Sequence, residues 1–234
     1  MIRALVVAVC AVAALTAGVS EARATNECRG LMVCVPVAGP WVVVPTSRHA
    51  EFQLNCPRGY IVGGLDAELS DRSIDISFPG LLGAPVNPGV TTTGSAVFAA
   101  TFTGVARRAT SFRPHIGCIP SSGGGGTPPM AIWLRPAAFP PGRPVTRRVR
   151  NVAAIAGRTT RGAQGCARNE RLVGATHAVG IYTRGAPSGS LLSAVSVTRT
   201  VASGRVRVVV RTSAALRGTR AVVQVQALCA GAGR

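Results

Sequence analysis

The sequence predicts an all-β fold: two tandem β-sandwich-like domains, each closed by its own long-range disulfide. Three observations point there. Apolar and polar residues alternate with period two, and Gly or Pro interrupts them every ten residues or so. An even set of cysteines remains once an export signal is removed. A short stretch after Cys56 recurs after Cys166, and each copy runs to a closing cysteine at nearly the same interval.

The strand signals follow in chain order. Trp41-Val-Val-Val-Pro45 is a β-branched run between prolines, and Ser95 to Val105 is rich in Thr, Val and Phe. Leu191 to Val201 and Arg205 to Arg211 carry Val alternating with Ser, Thr or Arg. From Ala221 to Cys229, Val223, Val225, Ala227 and Cys229 share one face, with Gln224 and Gln226 on the other. The Ala-rich stretch Val149 to Ala156 suits a helical turn that Gly157 would stop.

Residues 1–24 have the three parts of a secretory signal. Arg3 is the positive start, Ala4 to Val19 the apolar run, and Ala22-Arg23-Ala24 the small-x-small cleavage pattern. The run falls short of the ~20 residues of a spanning helix, and no later segment is long and apolar enough to span. An uncleaved anchor is the alternative to a cleaved signal; cleavage would remove Cys10. Cys28, Cys34, Cys56, Cys118, Cys166 and Cys229 then remain in an oxidising compartment, where disulfides are the default.

The two copies align as Cys-Pro-Arg-Gly-Tyr-Ile-Val-Gly-Gly from Cys56 and Cys-Ala-Arg-Asn-Glu-Arg-Leu-Val-Gly from Cys166. Arg58 matches Arg168. Gly59 matches Asn169, a pair that favours the same positive-φ turn. The intervals to Cys118 and Cys229 are 62 and 63 positions. This repeat pairs Cys56 with Cys118 and Cys166 with Cys229, leaving Cys28 for Cys34. Each long loop closed in this way contributes about 4 kcal/mol in the chain-entropy account. The expected organisation is a signal peptide at 1–24, a first β domain at 25–120, a Gly/Pro linker at 121–129 and a second, strongly basic β domain at 130–234. Ile132-Trp-Leu-Arg-Pro136 echoes Trp41 to Pro45, as a first strand of the second domain or a docking piece of the linker.

Cys-Pro-x-Gly-x-x-x-Gly-Gly, here Cys56 to Gly64, resembles a motif of uncharacterised exported proteins of high-GC bacteria, where it opens a small disulfide-linked β domain. The resemblance covers mainly Cys56 to Cys118, and the second copy departs from it at Ala167 and Asn169. It implies architecture and supplies no activity, cofactor or catalytic residue.

All 26 basic residues are Arg, a bias that GC-rich codons also produce. Residues 25–120 carry seven Arg against six acids, whereas residues 121–234 carry seventeen Arg against Glu170 alone. On a strand, Arg205, Arg207 and Arg211 project opposite Val206, Val208 and Val210, with Arg147, Arg148 and Arg150 upstream. These six are the candidate anion-binding residues. An anionic cell-wall polymer, an acidic polysaccharide or another polyanion would be held by them in a salt-sensitive way. The plain alternative is an ordinary solvated face. Specific nucleic-acid recognition is not expected, because Tyr182 is the only aromatic residue from Asn151 onward.

His49, His115 and His177 form no metal-spaced set, and no G-x-S-x-G elbow is present. No metal, cofactor or catalytic residue is assigned. Asp66, Glu68, Asp71 and Asp75 are the one acidic concentration, with Asp66 and Glu68 on one strand face, Asp71 in the turn after it and Arg72 beside it. They read as a polar edge and turn, with Ca²⁺ binding or acid–base hydrolysis as sharper alternatives. The aromatic residues Trp41, Phe52, Tyr60, Phe78, Phe98, Phe102 and Phe112 are expected in the first core. The expected function is a secreted or envelope-located, non-enzymatic binding or structural protein. The alternative is an extracellular hydrolase near Asp66, Glu68 and Asp71.

Overall fold

A computed structural model of the chain describes residues 25–46, 49–78, 94–105, 109–121 and 145–231. The signal-like segment, the linker from residue 122, the segment around Trp133 and the prolines up to Pro144 lie outside the described residues. What is described is all-β: thirteen strands, one four-residue helix α1 (Gly189–Leu192) and one 3₁₀ turn (Ala214–Leu216).

The strands before the linker are β1 (Val35–Ala38), β2 (Trp41–Val44), β3 (His49–Asn55), β4 (Tyr60–Leu69), β5 (Ile74–Ser77), β6 (Ser95–Phe102) and β7 (Thr110–Pro120). After it come β8 (Val145–Ala154), β9 (Thr159–Gly165), β10 (Glu170–Tyr182), β11 (Val195–Ala202), β12 (Arg205–Thr212) and β13 (Arg220–Gly231). All pairings are antiparallel. In the first half β7 lies between β4 and β1/β2, and a second sheet has the order β3-β6-β5. In the second half β13 lies between β10 and β8, and a second sheet has the order β11-β12-β9. The two larger sheets are one seven-stranded sheet, because β2 also pairs with β10 through Val42–Gly180 and Trp41–Ile181.

Alternation decides which faces are buried. Val206, Val208 and Val210 of β12 pack against Val223, Val225 and Ala227 of β13, with Val152, Ile181 and Leu216 around them. Each such side chain contributes roughly 1.5–3 kcal/mol on burial. The other core holds Phe52, Phe98 and Phe112 with Val42, Val62 and Ile116. Trp41 is buried, Tyr60 and Phe102 are partly buried, and Phe78 is half-exposed with its ring edge-on to Phe98 at 5.2 Å.

All three expected disulfides are present: Cys28–Cys34, Cys56–Cys118 and Cys166–Cys229. Cys56 follows β3 and Cys118 lies in β7, so that bond ties the two layers around the aromatic core. Cys166 follows β9 and joins β13 in the same manner. Each of the two long-range disulfides sits beside a break in register. β4 has a bulge between Val62 and Gly64 opposite Cys118, and β10 has one between Leu172 and Gly174 opposite Cys229.

Three local expectations are corrected. Val149 to Ala156 is not a helical turn: β8 runs through Ala154, because Val152 and Ala154 alternate inward against β13, and Gly157 turns the chain with φ +68°. Leu191 and Leu192 belong to α1, and the strand begins only at Val195. Gly59 takes φ +83°, but Asn169 does not, since Ser203 is the only non-glycine with positive φ among the described residues. Both turns still close the same bond, Tyr60 N–H to Pro57 O and Glu170 N–H to Ala167 O. A type I turn makes that bond with negative φ throughout and accepts Asn.

Candidate anion-binding face and acidic groove

The outward face of the β11-β12-β9 sheet follows from its register. Arg205, Arg207 and Arg211 alternate with the three buried valines and are exposed, as the pattern predicted. Val209, the one apolar residue of that row, lies opposite Arg161 of β9. Arg161 therefore supplies a fourth exposed guanidinium at the level where β12 has none. Sequence reasoning missed it because Thr159–Gly165 has no apolar alternation to mark it as a strand. On the other side of β12, Ser196 and Thr200 lie opposite Arg211 and Arg207. Among the described residues, no carboxylate pairs with any of these four arginines.

The upstream cluster is arranged differently. Arg147 bonds the Glu51 carboxylate of β3 at 2.5 Å and also the Gln226 side-chain carbonyl. Arg148 makes a two-point pair with Glu170, Nε to Oε2 at 2.8 Å and Nη2 to Oε1 at 2.7 Å. The Arg148 hydrogen bonds, followed by the Ala167 N–H, hold the Glu170 carboxyl below its usual range, and the same pair raises Arg148. Both arginines are thus partnered inside the fold. Arg150 is exposed and reaches the Ala163 carbonyl of β9 at 3.3 Å. The six candidates divide into two structural pairs and a surface set.

Glu170 also approaches Cys166 and Cys229 closely enough to suggest a metal cluster. The two sulfurs are bonded to each other and the carboxylate is held by Arg148, so no thiolate is available as a ligand.

The acids of β4 form a second arrangement. Asp66 and Glu68 share a face as expected, opposite His115 and Arg113 of β7. Asp66 accepts the Asn26 and Ala67 N–H groups at 2.6 and 2.7 Å, and Asp71 accepts the Ser73 N–H at 2.9 Å in the following turn. Asp75 is exposed on β5. His115 is buried between two carboxylates, Nε2 3.4 Å from Glu68 and Nδ1 3.7 Å from Glu27. The sequence marked His115 only as a histidine outside any metal-spaced set and carried no signal for Glu27. The β4–β7 register sets His115 opposite Asp66 and near Glu68, while the N-terminal segment lying on Gly64 and Gly117 brings in Glu27. An open groove runs alongside, lined by Thr25 and residues 66–72. In the second half Thr176 lies opposite Gln226 and Ala178 opposite Gln224, where the first half has Asp66–His115 and Glu68–Arg113.

No helix among the described residues is long and apolar enough to cross a membrane. No protein-family model, curated protein or solved structure matches this chain.

Proposed function

We propose that the chain is an exported, non-enzymatic binding protein of the envelope or extracellular space, whose second half engages anionic polymers. One observation carries this reading: the outward face of β11-β12-β9 presents four exposed arginines, and the half's single acid, Glu170, is committed to Arg148. Arginine fits phosphate and carboxylate oxygens two at a time, which favours a polyanion over a neutral ligand. Three disulfides suit an oxidising compartment, in keeping with the signal-like residues 1–24. We read the halves as domains that arose by tandem duplication. The recurring order of strand pairings, the matching bulges and the equivalent disulfides support that reading.

The test is binding of the full chain to polyanions across a salt series, with the Arg205→Ser, Arg207→Ser, Arg211→Ser triple variant alongside. The expected result is binding that weakens with salt and a variant that binds much less. Binding indifferent to salt, or a variant equal to the parent, would end the proposal.

A second reading, an extracellular hydrolase, is favoured only by the groove along β4 and the approach of His115 to Glu68. It requires an activity on a broad substrate panel that Asp66→Ala and Glu68→Ala abolish without unfolding the chain.

A further inference from the structure

The four arginines on the outward face are evenly stepped. Arg205 and Arg207 are two residues apart on β12, the next level is filled by Arg161 across from Val209, and the level after that is Arg211. Residues two apart on a strand are separated by about 7 Å, so four cationic levels span about 20 Å along β12. From this spacing we infer that the face is a track for a linear, base-free phosphodiester polymer lying along β12. The inference rests on the polyanion reading above and specifies its ligand class.

The chemistry of the step selects the ligand. Three bonds of a trans-extended chain advance about 3.8 Å, so phosphates joined through a three-carbon diol, six bonds apart, repeat at about 7 Å. Such a polymer meets one guanidinium per phosphate. Acidic polysaccharides instead carry pendant charges on rings, at intervals set by the sugar. The face has no aromatic residue at any paired position from Thr159 to Gly165, Arg205 to Arg211 or Ser196 to Ala202, so it has no platform on which bases could stack. Ser196, Thr198 and Thr200 on β11 are exposed beside the arginine row and place hydroxyl donors along one flank. On the opposite flank, Ala163 and Gly165 of β9 keep the surface low, and the Arg205 stem lies over Gly165.

Two charge-conserving exchanges separate a stepped track from a merely basic surface. Arg207→Thr with Thr159→Arg keeps the net charge but doubles the Arg211 level and empties the Arg207 level. Arg161→Val with Val209→Arg keeps the step and moves one charge onto β12. All four positions are off the buried valine face, and thermal unfolding of both variants checks that the fold is retained. The probe is a short poly(glycerol phosphate) oligomer, with polygalacturonate for comparison. For the parent, log K against log salt should have a slope of about −3, near 0.7 per phosphate for four contacts. The step-breaking exchange should weaken binding several-fold and flatten the slope by about 0.7. The step-keeping exchange should bind as the parent does. If both exchanges bind equally, or polygalacturonate binds more tightly than the phosphodiester, the track is overturned and the general polyanion reading stands. If the parent binds neither polymer, both readings fall.

Discussion

At the scale of single residues, the glycines of β4 and β7 show why a short motif has the form it does. A Cβ on Gly64 would lie 1.9 Å from the Glu27 carbonyl oxygen, and one on Gly117 would lie 2.1 Å from it. The backbone of the Cys28–Cys34 loop therefore rests directly on bare sheet, which carries Glu27 to His115. Gly64→Ala must displace that loop and should cost about 1–3 kcal/mol, the usual penalty for overfilling a packed site. Thermal or urea unfolding would measure it, and an unchanged midpoint would mean that the loop is not held there. The final glycine of the motif was legible from the sequence, but its reason was not, because the contact comes from a segment 37 positions earlier. The arginines are similar. Their number was plain, whereas the division into Arg147 and Arg148, partnered within the fold, and Arg205, Arg207 and Arg211, facing solvent, depends on where Glu51 and Glu170 arrive.

At the scale of elements, alternation made β2, β6, β12 and β13 readable, and it failed where a strand is polar or is covered on both faces. β13 is the clearest case. Its inward valines were evident, and Gln224 and Gln226 were correctly placed on the opposite face, yet that face is buried too, at 2% and 0% exposure. Gln224 accepts the Gln53 N–H at 2.6 Å and donates to the Gln53 carbonyl at 3.0 Å, while Gln226 donates to the Glu51 carbonyl at 2.8 Å. Gln224→Leu should destabilise the protein by about 2–3 kcal/mol, since it leaves the Gln53 groups buried without partners. Gln224→Glu should do no better, because a carboxylate cannot donate to the carbonyl. Chemical denaturation checks both. The Arg148–Glu170 pair joins β8 to the start of β10 and gives a pH prediction. Glu170 has its folded pKa depressed, so its contribution is full above its unfolded value of about 4.3 and is lost as pH falls through the lower folded value. Glu170→Gln should therefore flatten the acid limb of stability below about pH 4. An acid limb identical to the parent's would show that the pair does not couple to folding.

At the scale of the whole molecule, the halves use one plan to different ends. In the first, the face of β4 and β7 is covered by the N-terminal disulfide loop. In the second, the corresponding face of β10 and β13 is covered by β3 of the first. Exchange of charge follows the same division, with Glu51 of the first half binding Arg147 of the second. The halves are thus interlocked through the continuous sheet, the glutamine contacts and this ion pair. The first half expressed alone should expose the Gln53 backbone and unfold at lower denaturant than in the full chain, which a comparison of urea midpoints would establish.

The contact between Gln224 and Gln53 also bears on what the protein avoids. β3 is the outer strand of its sheet, and the N–H and carbonyl of Gln53 point away from β6. Outer strands of this kind recruit further strands, from the same chain or from others, and proteins that persist in solution need some means of discouraging it. Here an amide side chain takes the place of the neighbouring strand, meeting a donor and an acceptor with one acceptor and one donor. Truncating Gln224 would therefore leave that border without its partner, free to add a strand whenever β3 lifts from β13. Loss of this one side chain should then register in light scattering as self-association at denaturant concentrations below the unfolding transition.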